Sequence, residues 1–589
     1  MLSPEQQLVV ENIDDNNIVV ALPGSGKTHT IKYAIDHLLD INPKYKVLVV
    51  TFTNAATAEM LGRIRGHISP EKFEQVEVYT FHSLLNKMSK TIDKRRLLIG
   101  GAQTSYIIRA MNSFSGPMDF SDAVSIIDFY SAITDLKPTA PYEKSYGLYE
   151  EYLRIMEYDN RKDFGVIVRQ VILGLREGTL DLADYTHCLV DEYQDTDDQQ
   201  LEWLLLHSKQ GTKISVVGDD DQSIFSFRSA KGYENFIALR DELNSNMFQL
   251  SICRRCAPEI LSAASEIIGW NRNRIKKDMV SAKEEGGSFQ LAHVDGSAAQ
   301  YEMLVEHIKG DYEDWAVLSK TNAQLDQVEK LLIANEIPYN RLSGKSFYEH
   351  PEVVMQLNLL GCLVHDKGYD YLKTTLGYLN EVESNIREAV EVSRQLGSIK
   401  EIQTNIQPHW SLATKEYINL LHRQAGNTSD EERINEKLKM LEAFIHRFKP
   451  PKASGDTDAR SKDFGFFNAL CEIARKMPGA YSQRISNLID QLNQRKDKKA
   501  LDKSVVTLST FHSSKGLEWS RVWLVDVNEG VIPSKEGAID IDIRDEERRV
   551  LYVAMTRAED ELVITSTEKP STFLTESFPD SYTQFSMTG

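Results

Sequence analysis

Ala21-Leu22-Pro23-Gly24-Ser25-Gly26-Lys27-Thr28 follows an apolar run, Ile18 to Ala21, and opens a helical pattern from Lys27 to Leu39. A glycine-rich turn joining a buried strand to a helix is the sequence form of a phosphate-binding loop, and it ties the chain to an α/β fold. Backbone N–H groups of the loop and the helix N-terminus wrap phosphates, Lys27 reaches the β/γ oxygens, and the Thr28 hydroxyl is placed to hold Mg²⁺. Gly24, Ser25, Gly26, Lys27 and Thr28 are therefore candidate nucleotide ligands. Ala21 stands where the pattern G-x-x-x-x-G-K-[ST] begins with glycine.

A second apolar run, Cys188-Leu189-Val190, ends in Asp191-Glu192-Tyr193-Gln194-Asp195. Beside a phosphate loop, Asp191 is placed to hold the Mg²⁺ and Glu192 to orient and deprotonate an attacking water. A third, Val216-Val217-Gly218, leads into Asp219-Asp220-Asp221-Gln222-Ser223-Ile224-Phe225-Ser226-Phe227-Arg228. There a γ-phosphate-reading amide, Gln222, sits three and five residues from Phe225 and Phe227. An aromatic face can stack a nucleic-acid base without sequence preference, so this segment suggests a motor and not only an ATP binder.

Strand-like runs at Ile18 to Ala21, Lys46 to Thr51, Val76 to Thr80, Cys188 to Val190 and Ile214 to Gly218 alternate with helical patterns, as in a parallel α/β sheet. Trp315 to Ser319, Ser504 to Thr510, Val522 to Val527 and Glu561 to Thr565 form a second set. Helical stretches interrupt each set, from about Leu84 to Ile172 and from about His365 to Lys503. Lys449 to Asp458 is polar and rich in breakers, and reads as a mobile loop. The basic run Gln494 to Lys499 reads either as a solvated helix end or as a duplex-backbone contact.

The 589 residues suffice for three to five domains, and 41% hydrophobic content is ordinary for large cores. The net charge of −19 excludes a global basic field, so any DNA path is a local groove. Five cysteines provide no disulfide framework, no signal-peptide pattern opens the chain, and no apolar run reaches membrane-spanning length; these features point to the cytoplasm. Cys253-Arg254-Arg255-Cys256 is a single C-x-x-C without a second pair, and reads as an ordinary helix start in preference to a zinc site.

In chain order these motifs, with Leu2-Ser3-Pro4-Glu5-Gln6-Gln7, Thr51-Phe52-Thr53-Asn54, Thr80-Phe81-His82-Ser83, Arg255, Thr510 to Glu518, Glu547-Arg548-Arg549 and Tyr552 to Ala558, make the chain resemble a superfamily 1 DNA helicase of the UvrD/Rep/PcrA type. The resemblance implies two RecA-like P-loop motor lobes, each with a mainly helical inserted domain. Residues 1–83 and 173–258 form the first lobe and 84–172 its insertion; residues 259–364 and 504–589 form the second lobe and 365–503 its insertion. It also implies that Gln6 reads adenine, that Glu518 lies at the nucleotide, and that Arg255 and Arg557 deliver cations to the phosphates during hydrolysis. Phe52, Thr53, His82, Phe225, Phe227, Arg228 and His512 match DNA-facing positions.

Three departures from the family pattern carry weight. His29 and Arg254 stand where relatives have an arginine and a tyrosine around adenine, so cation and ring have changed places; either they still sandwich the base or His29 is a solvent-facing helix residue. Phe227 and Phe225 replace the usual Trp and Tyr, which reduces stacking area. The long aromatic-tipped loop that splits duplex in relatives is missing after Arg557, where Glu561 to Thr567 runs through Glu568-Lys569-Pro570 into Ser571, and the chain ends soon after. The reading is an ATP-driven 3′ to 5′ single-strand DNA translocase and helicase, using ATP and Mg²⁺, acting on single-stranded and tailed duplex DNA in repair, replication or antiphage defence. The alternative is a motor or nucleotide-switch ATPase subunit serving a separate nuclease, as in Gabija-like defence.

Overall fold

The computed structural model describes residues 2–98, 102–114, 118–226, 229–284, 286–423, 431–448, 468–494, 502–579 and 583–584. Phe227, Arg228, the breaker-rich segment 449–458 and all but the first residue of the basic run 494–499 lie outside these.

The chain divides into two compact units. The first comprises Met1–Phe289, Ile532–Glu561 and Phe573–Ser577, the second Gln290–Val531, Leu562–Thr572 and Phe578–Gly589. Residues 259–289 and 532–561 fall in the first unit, whereas the order of strands and insertions in the sequence assigned them to the second lobe.

In the first unit, β1 (Asn17–Ala21), β2 (Val47–Thr51), β3 (Val76–Thr80), β4 (His187–Val190), β5 (Lys213–Gly218) and β6 (Asn246–Leu250) form one sheet in the order β3-β2-β4-β5-β1-β6. All its pairings are parallel. Side chains alternate between two cores. Ile18, Val20, Leu48, Val50, Val190 and Val216 pack with Phe81, Ile167, Val171, Trp203 and Phe236 on one face. Val19, Ala21, Val47, Val49, Leu189 and Val217 pack with Ile31, Ile35, Leu38 and Met60 on the other. A sheet covered on both faces needs strands that are apolar throughout, which is why the inner ones read as uninterrupted runs. The order sets β4, β5 and β1 side by side, so the segments leaving their carboxyl ends converge, as ligand sites do in open parallel sheets.

The helices Ala102–Ser113, Phe120–Ser131 and Tyr146–Tyr158 build a separate core around Tyr130, Tyr149 and Tyr152. Phe164–Glu177 is shared: Val166 belongs to that core, while Ile167, Val171 and Ile172 belong to the sheet. Buried Arg169 fastens the junction, donating to Tyr130 O at 2.9 Å and Tyr149 Oη at 2.6 Å.

In the second unit, β7 (Ser288–His293), β8 (Trp315–Ser319), β9 (Tyr339–Arg341), β10 (Val506–Thr510), β11 (Trp519–Leu524), β12 (Ala558–Ser566) and β13 (Thr583–Gln584) form a sheet in the order β9-β10-β8-β11-β12-β7-β13. One continuous core joins Trp315, Val317, Leu508 and Trp523 of this sheet to residues of the following helices, among them Leu357, Leu376, Tyr417, Leu441 and Leu488. Thus the described helices of the insertion share their core with the sheet. After β12 the chain is bound straight back: Ser571 N donates to Val527 O at 3.0 Å, Asn528 Nδ2 to Thr567 Oγ1 at 2.8 Å, and the helix Thr572–Ser577 follows. Among the described residues, no helix is long and apolar enough to cross a membrane.

His207, buried in the first unit, accepts from Ala183 N at 3.1 Å through Nε2 and lies 2.8 Å from Trp203 O through Nδ1. These partners fix the neutral tautomer, and burial pushes its pKa down to about 4. Since the folded value lies below that of an unfolded histidine, its contribution is complete above about pH 6.5 and is lost as pH falls toward 4, amounting to about 2 kcal/mol by pH 5. Histidine-selective NMR titration should find His207 unprotonated at pH 5.5; a midpoint near 6.5 would contradict this packing.

Candidate nucleotide and nucleic-acid site

The loop after β1 turns through Gly24 and Gly26 at φ of 65° and 88°. Both lie in the left-handed region, where a side chain is strained. Gly24 is also a close approach: a Cβ there would stand 2.5 Å from Arg255 Cβ and 3.0 Å from Arg255 N. Ser25 is buried, with Oγ donating to Leu22 O at 2.8 Å. Its carbonyl accepts from Gln6 Nε2 at 3.0 Å and Arg254 Nη1 at 2.8 Å. Gln6 is used at its other end too, since Oε1 accepts from Ser3 N at 3.0 Å in the capping box of the helix Pro4–Glu11. No side chain caps the helix Lys27–Ile41, so its first-turn N–H groups point toward whatever anion the loop holds.

From Lys27 a chain of hydrogen bonds crosses the strand ends. Lys27 Nζ donates to Glu192 Oε2 at 3.2 Å, and Gln194 Nε2 donates to the same carboxylate at 2.6 Å. Gln194 Oε1 accepts from Asp219 N at 3.0 Å, and Asp219 Oδ2 accepts from Gln222 Nε2 at 2.8 Å. Gln222 Oε1 accepts from Arg557 Nη2 at 3.1 Å. Every member belongs to the first compact unit, and all but Lys27 and Glu192 are buried.

Electrostatics suit an anionic ligand and a cation. Burial lowers the pKa of Lys27, but Glu192, Asp191 and Asp219 outweigh it and hold the ammonium above its usual value. Burial and adjacent Glu192 push the Asp191 carboxyl up to about 7. A carboxylate this disfavoured gains most from a divalent cation, so Asp191 and half-buried Thr28 fit Mg²⁺, which would neutralise phosphate charge when bound. Glu192 has φ of 52°, a costly conformation for a residue with a side chain and one that concentrates at functional positions. Arg557 is 1% exposed. Burial, and then the charge of Arg255, disfavour its guanidinium cation; an incoming phosphate would relieve both.

Arg254 and His29 flank Gly26: a Cβ there would lie 3.5 Å from Arg254 Nη1 and 3.7 Å from His29 Cβ. The His29 ring leans on Tyr33 at 4.9 Å between centroids. Of the candidate DNA-facing residues, Phe52 and Phe225 are half-buried and stacked, with centroids 5.6 Å apart and planes 12° apart. Thr53 is exposed and caps the helix Asn54–Arg65 through Ala56 N at 3.1 Å. Exposed His82 meets Phe164 edge-on at 4.7 Å. His512 and Glu518 lie in the second compact unit. His512 is held neutral, with its pKa pushed down to about 4 by burial and by Lys320 and Lys515.

Sequence reasoning missed Gln194, Phe164 and the cations around Asp219 to Asp221. These three carboxylates converge closely enough to hold a metal ion, but Lys277 Nζ sits among them at 2.8, 2.6 and 2.9 Å. Arg274 pairs bidentately with Asp221 at 3.0 and 2.6 Å. Gln194 stood inside a motif already marked by its acidic neighbours; Lys277, in the run Arg272 to Lys277, belongs to no motif. Cys253 and Cys256 are buried and belong to no metal-holding group among the described residues.

A glycine-rich loop and an acidic strand end on one parallel sheet, with the amide of Gln222 bonded to buried Arg557, are the arrangement of a P-loop enzyme. Residues 2–128 and 121–244 match the UvrD/REP helicase N-terminal domain, and residues 248–569 the UvrD-like helicase C-terminal domain. The chain belongs to the UvrD/REP helicase family. It is 26% identical over 640 residues to "ATP-dependent DNA helicase PcrA" of Leuconostoc citreum, covering 98% of this chain and 85% of that one. It is 27% identical to "ATP-dependent DNA helicase Rep" of Buchnera aphidicola subsp. Schizaphis graminum (96% and 93% covered), and 26% to that of Escherichia coli K12 (96% and 90%).

Gly24→Ala should displace the Arg254–Arg255 turn from the loop and raise the apparent KM for ATP at least tenfold, with far-UV circular dichroism unchanged. Wild-type nucleotide affinity would show that the close approach is immaterial. Arg557→Ala should lower ATP turnover by roughly 10³ if the arginine acts on the transferring phosphoryl group; a loss under tenfold would leave it a structural arginine.

Proposed function

We propose that the chain is an ATP-driven translocase that moves 3′ to 5′ on single-stranded DNA, and a DNA helicase whose unaided duplex opening is weak. The observation that carries this is the hydrogen-bonded chain from Lys27 to Arg557, whose Gln222 stands three residues before Phe225, itself stacked on Phe52. Glu192 activates the water and Lys27 leaves it for the β/γ oxygens. Arg557 and Arg255 stabilise charge on the phosphoryl group, while Gln222 reports its presence. Gln6, with His29 and Arg254 at Gly26, takes the adenine; Thr28 and Asp191 hold Mg²⁺. Phe52, Thr53, His82, Phe225, Phe227, Arg228 and His512 are assigned to DNA, and Glu518 to the nucleotide. The relatives' names, ATP-dependent DNA helicases, support ATP and DNA as substrates. The setting is cytoplasmic, in DNA repair, replication or antiphage defence.

The short return after β12 favours a second reading, a motor or nucleotide switch that serves a separate nuclease. Opening a base-pair step costs about 1.4 kcal/mol of stacking, and a chain bound back at Thr567 and Ser571 projects no splitting loop there. Purified chain should therefore show single-strand-stimulated ATPase and translocation, and open 3′-tailed duplexes slowly, more so with GC content, while leaving 5′-tailed and blunt ones intact. Fast, composition-independent opening by the lone chain would show that another element splits the duplex. Turnover without movement would favour the switch.

Phe225→Ala should keep basal hydrolysis but lose at least tenfold of its DNA stimulation, because base stacking contributes about 1–3 kcal/mol per base. Normal translocation by this variant would remove Phe225 from the track.

A further inference from the structure

Asp219, Asp220 and Asp221 are three consecutive carboxylates, each at most 2% exposed. Buried like charges are tolerated only when paired. Lys277, with 1% of its side chain exposed, answers all three at once, and Ile275 N donates to the other oxygen of Asp220 at 2.7 Å. Asp219 is the critical one. Its Oδ1 takes Lys277 and its Oδ2 takes Gln222 Nε2, which turns Gln222 Oε1 toward Arg557. The lysine therefore fixes the carboxylate that fixes the amide.

We propose that Lys277 is a positioning residue for phosphoryl transfer, acting through Asp219 to hold Gln222 in the orientation that meets Arg557. This rests on the ATPase reading above. Neutralising the buried acids needs only a positive charge, whereas orienting Gln222 needs one compact ammonium within reach of Asp219 and both its neighbours. Arginine differs: its planar fork spreads charge over several nitrogens and cannot set a single atom among three carboxylates. The residue touches neither loop nor track, so its loss should reach turnover and spare nucleotide affinity.

The test uses the full chain with ATP, Mg²⁺ and single-stranded DNA. Lys277→Arg keeps the charge and should fold, with KM for ATP within threefold of wild type and kcat reduced at least tenfold; wild-type kcat would overturn the proposal. Lys277→Met combined with Asp220→Asn removes the lysine together with one acid and leaves Asp219 in place. If Lys277 only neutralised charge, this pair would recover full turnover, and that result also overturns the proposal; low kcat at a near-wild-type melting temperature supports it. Finally, Lys277→Arg should have no further effect in a Gln222→Ala background, since both act through one amide; multiplying losses would place Lys277's action elsewhere. Wild-type turnover measured alongside tests the ATPase reading itself, because a chain without DNA-stimulated hydrolysis fails there before any variant is compared.

Discussion

Charge gathered at the carboxyl ends of three adjacent parallel strands is the constraint on which the rest of the first unit depends. Asp191 and Glu192 leave β4 and Asp219 to Asp221 leave β5, while Lys27 follows β1. In water such a group would disperse; in a sheet covered on both faces it cannot. Each acid must find cations or donors enough inside the fold, or hold its proton more tightly, as Asp191 does. The answers come from far along the chain: Lys27 from the first turn of a helix, Lys277 and Arg274 from the segment after β6, and Arg557 from the end of the helix Ile541–Met555. The same long-range pairings that close the unit also assemble the site.

That dependence explains what the sequence disclosed. The inner strands β1, β2, β4 and β5, covered on both faces, are apolar runs legible to within a residue, and the edge strand β3 was legible through its alternation of Val76 and Val78 with Glu77. Edge strands β6, with Asn246-Met247-Phe248-Gln249, and β9 were not, nor was β7, next to the edge, because a half-exposed strand tolerates polar residues and loses the signal. The helix Phe164–Glu177 serves two cores, so no sequence boundary could assign it to one. Phosphate-loop and acidic residues were readable because their spacing is set by local backbone. Lys277 was not, because what makes it important is a long-range closure onto Asp219 that no local pattern encodes.

Local chemistry also recurs between the units. Thr80-Phe81-His82-Ser83 and Thr510-Phe511-His512-Ser513 each follow a parallel strand. Thr80 Oγ1 lies 2.9 Å from Ser83 Oγ and Thr510 Oγ1 lies 3.0 Å from Ser513 Oγ, with the Ser N–H donating to the threonine in both. The cap turns the backbone sharply at the strand end and buries the Phe, Phe81 at 6% and Phe511 at 0% exposure. The following His takes up the next position in each turn, a placement that sequence identity alone does not explain and the cap does.

The two amides in the buried chain give it a direction. Gln194 donates to Glu192 and accepts from Asp219 N; Gln222 donates to Asp219 and accepts from Arg557. Reversing either amide would set oxygen against carboxylate and NH₂ against a donor, so neither turns alone without losing two bonds in a place where an unmade bond is costly. The chain is therefore held from its ends. In the proposed function, a phosphate that draws Lys27 from Glu192 and engages Arg557 would change both ends together, and the next element along the chain is the turn after Gln222. That turn is fastened by Arg549 Nε to Ser223 O at 2.9 Å and by Glu546 to Ser226. Its Phe225 rests against Phe52. In that proposal nucleotide state reaches the Phe225–Phe52 pair through these contacts, and they would act as a two-state element only if they are remade together.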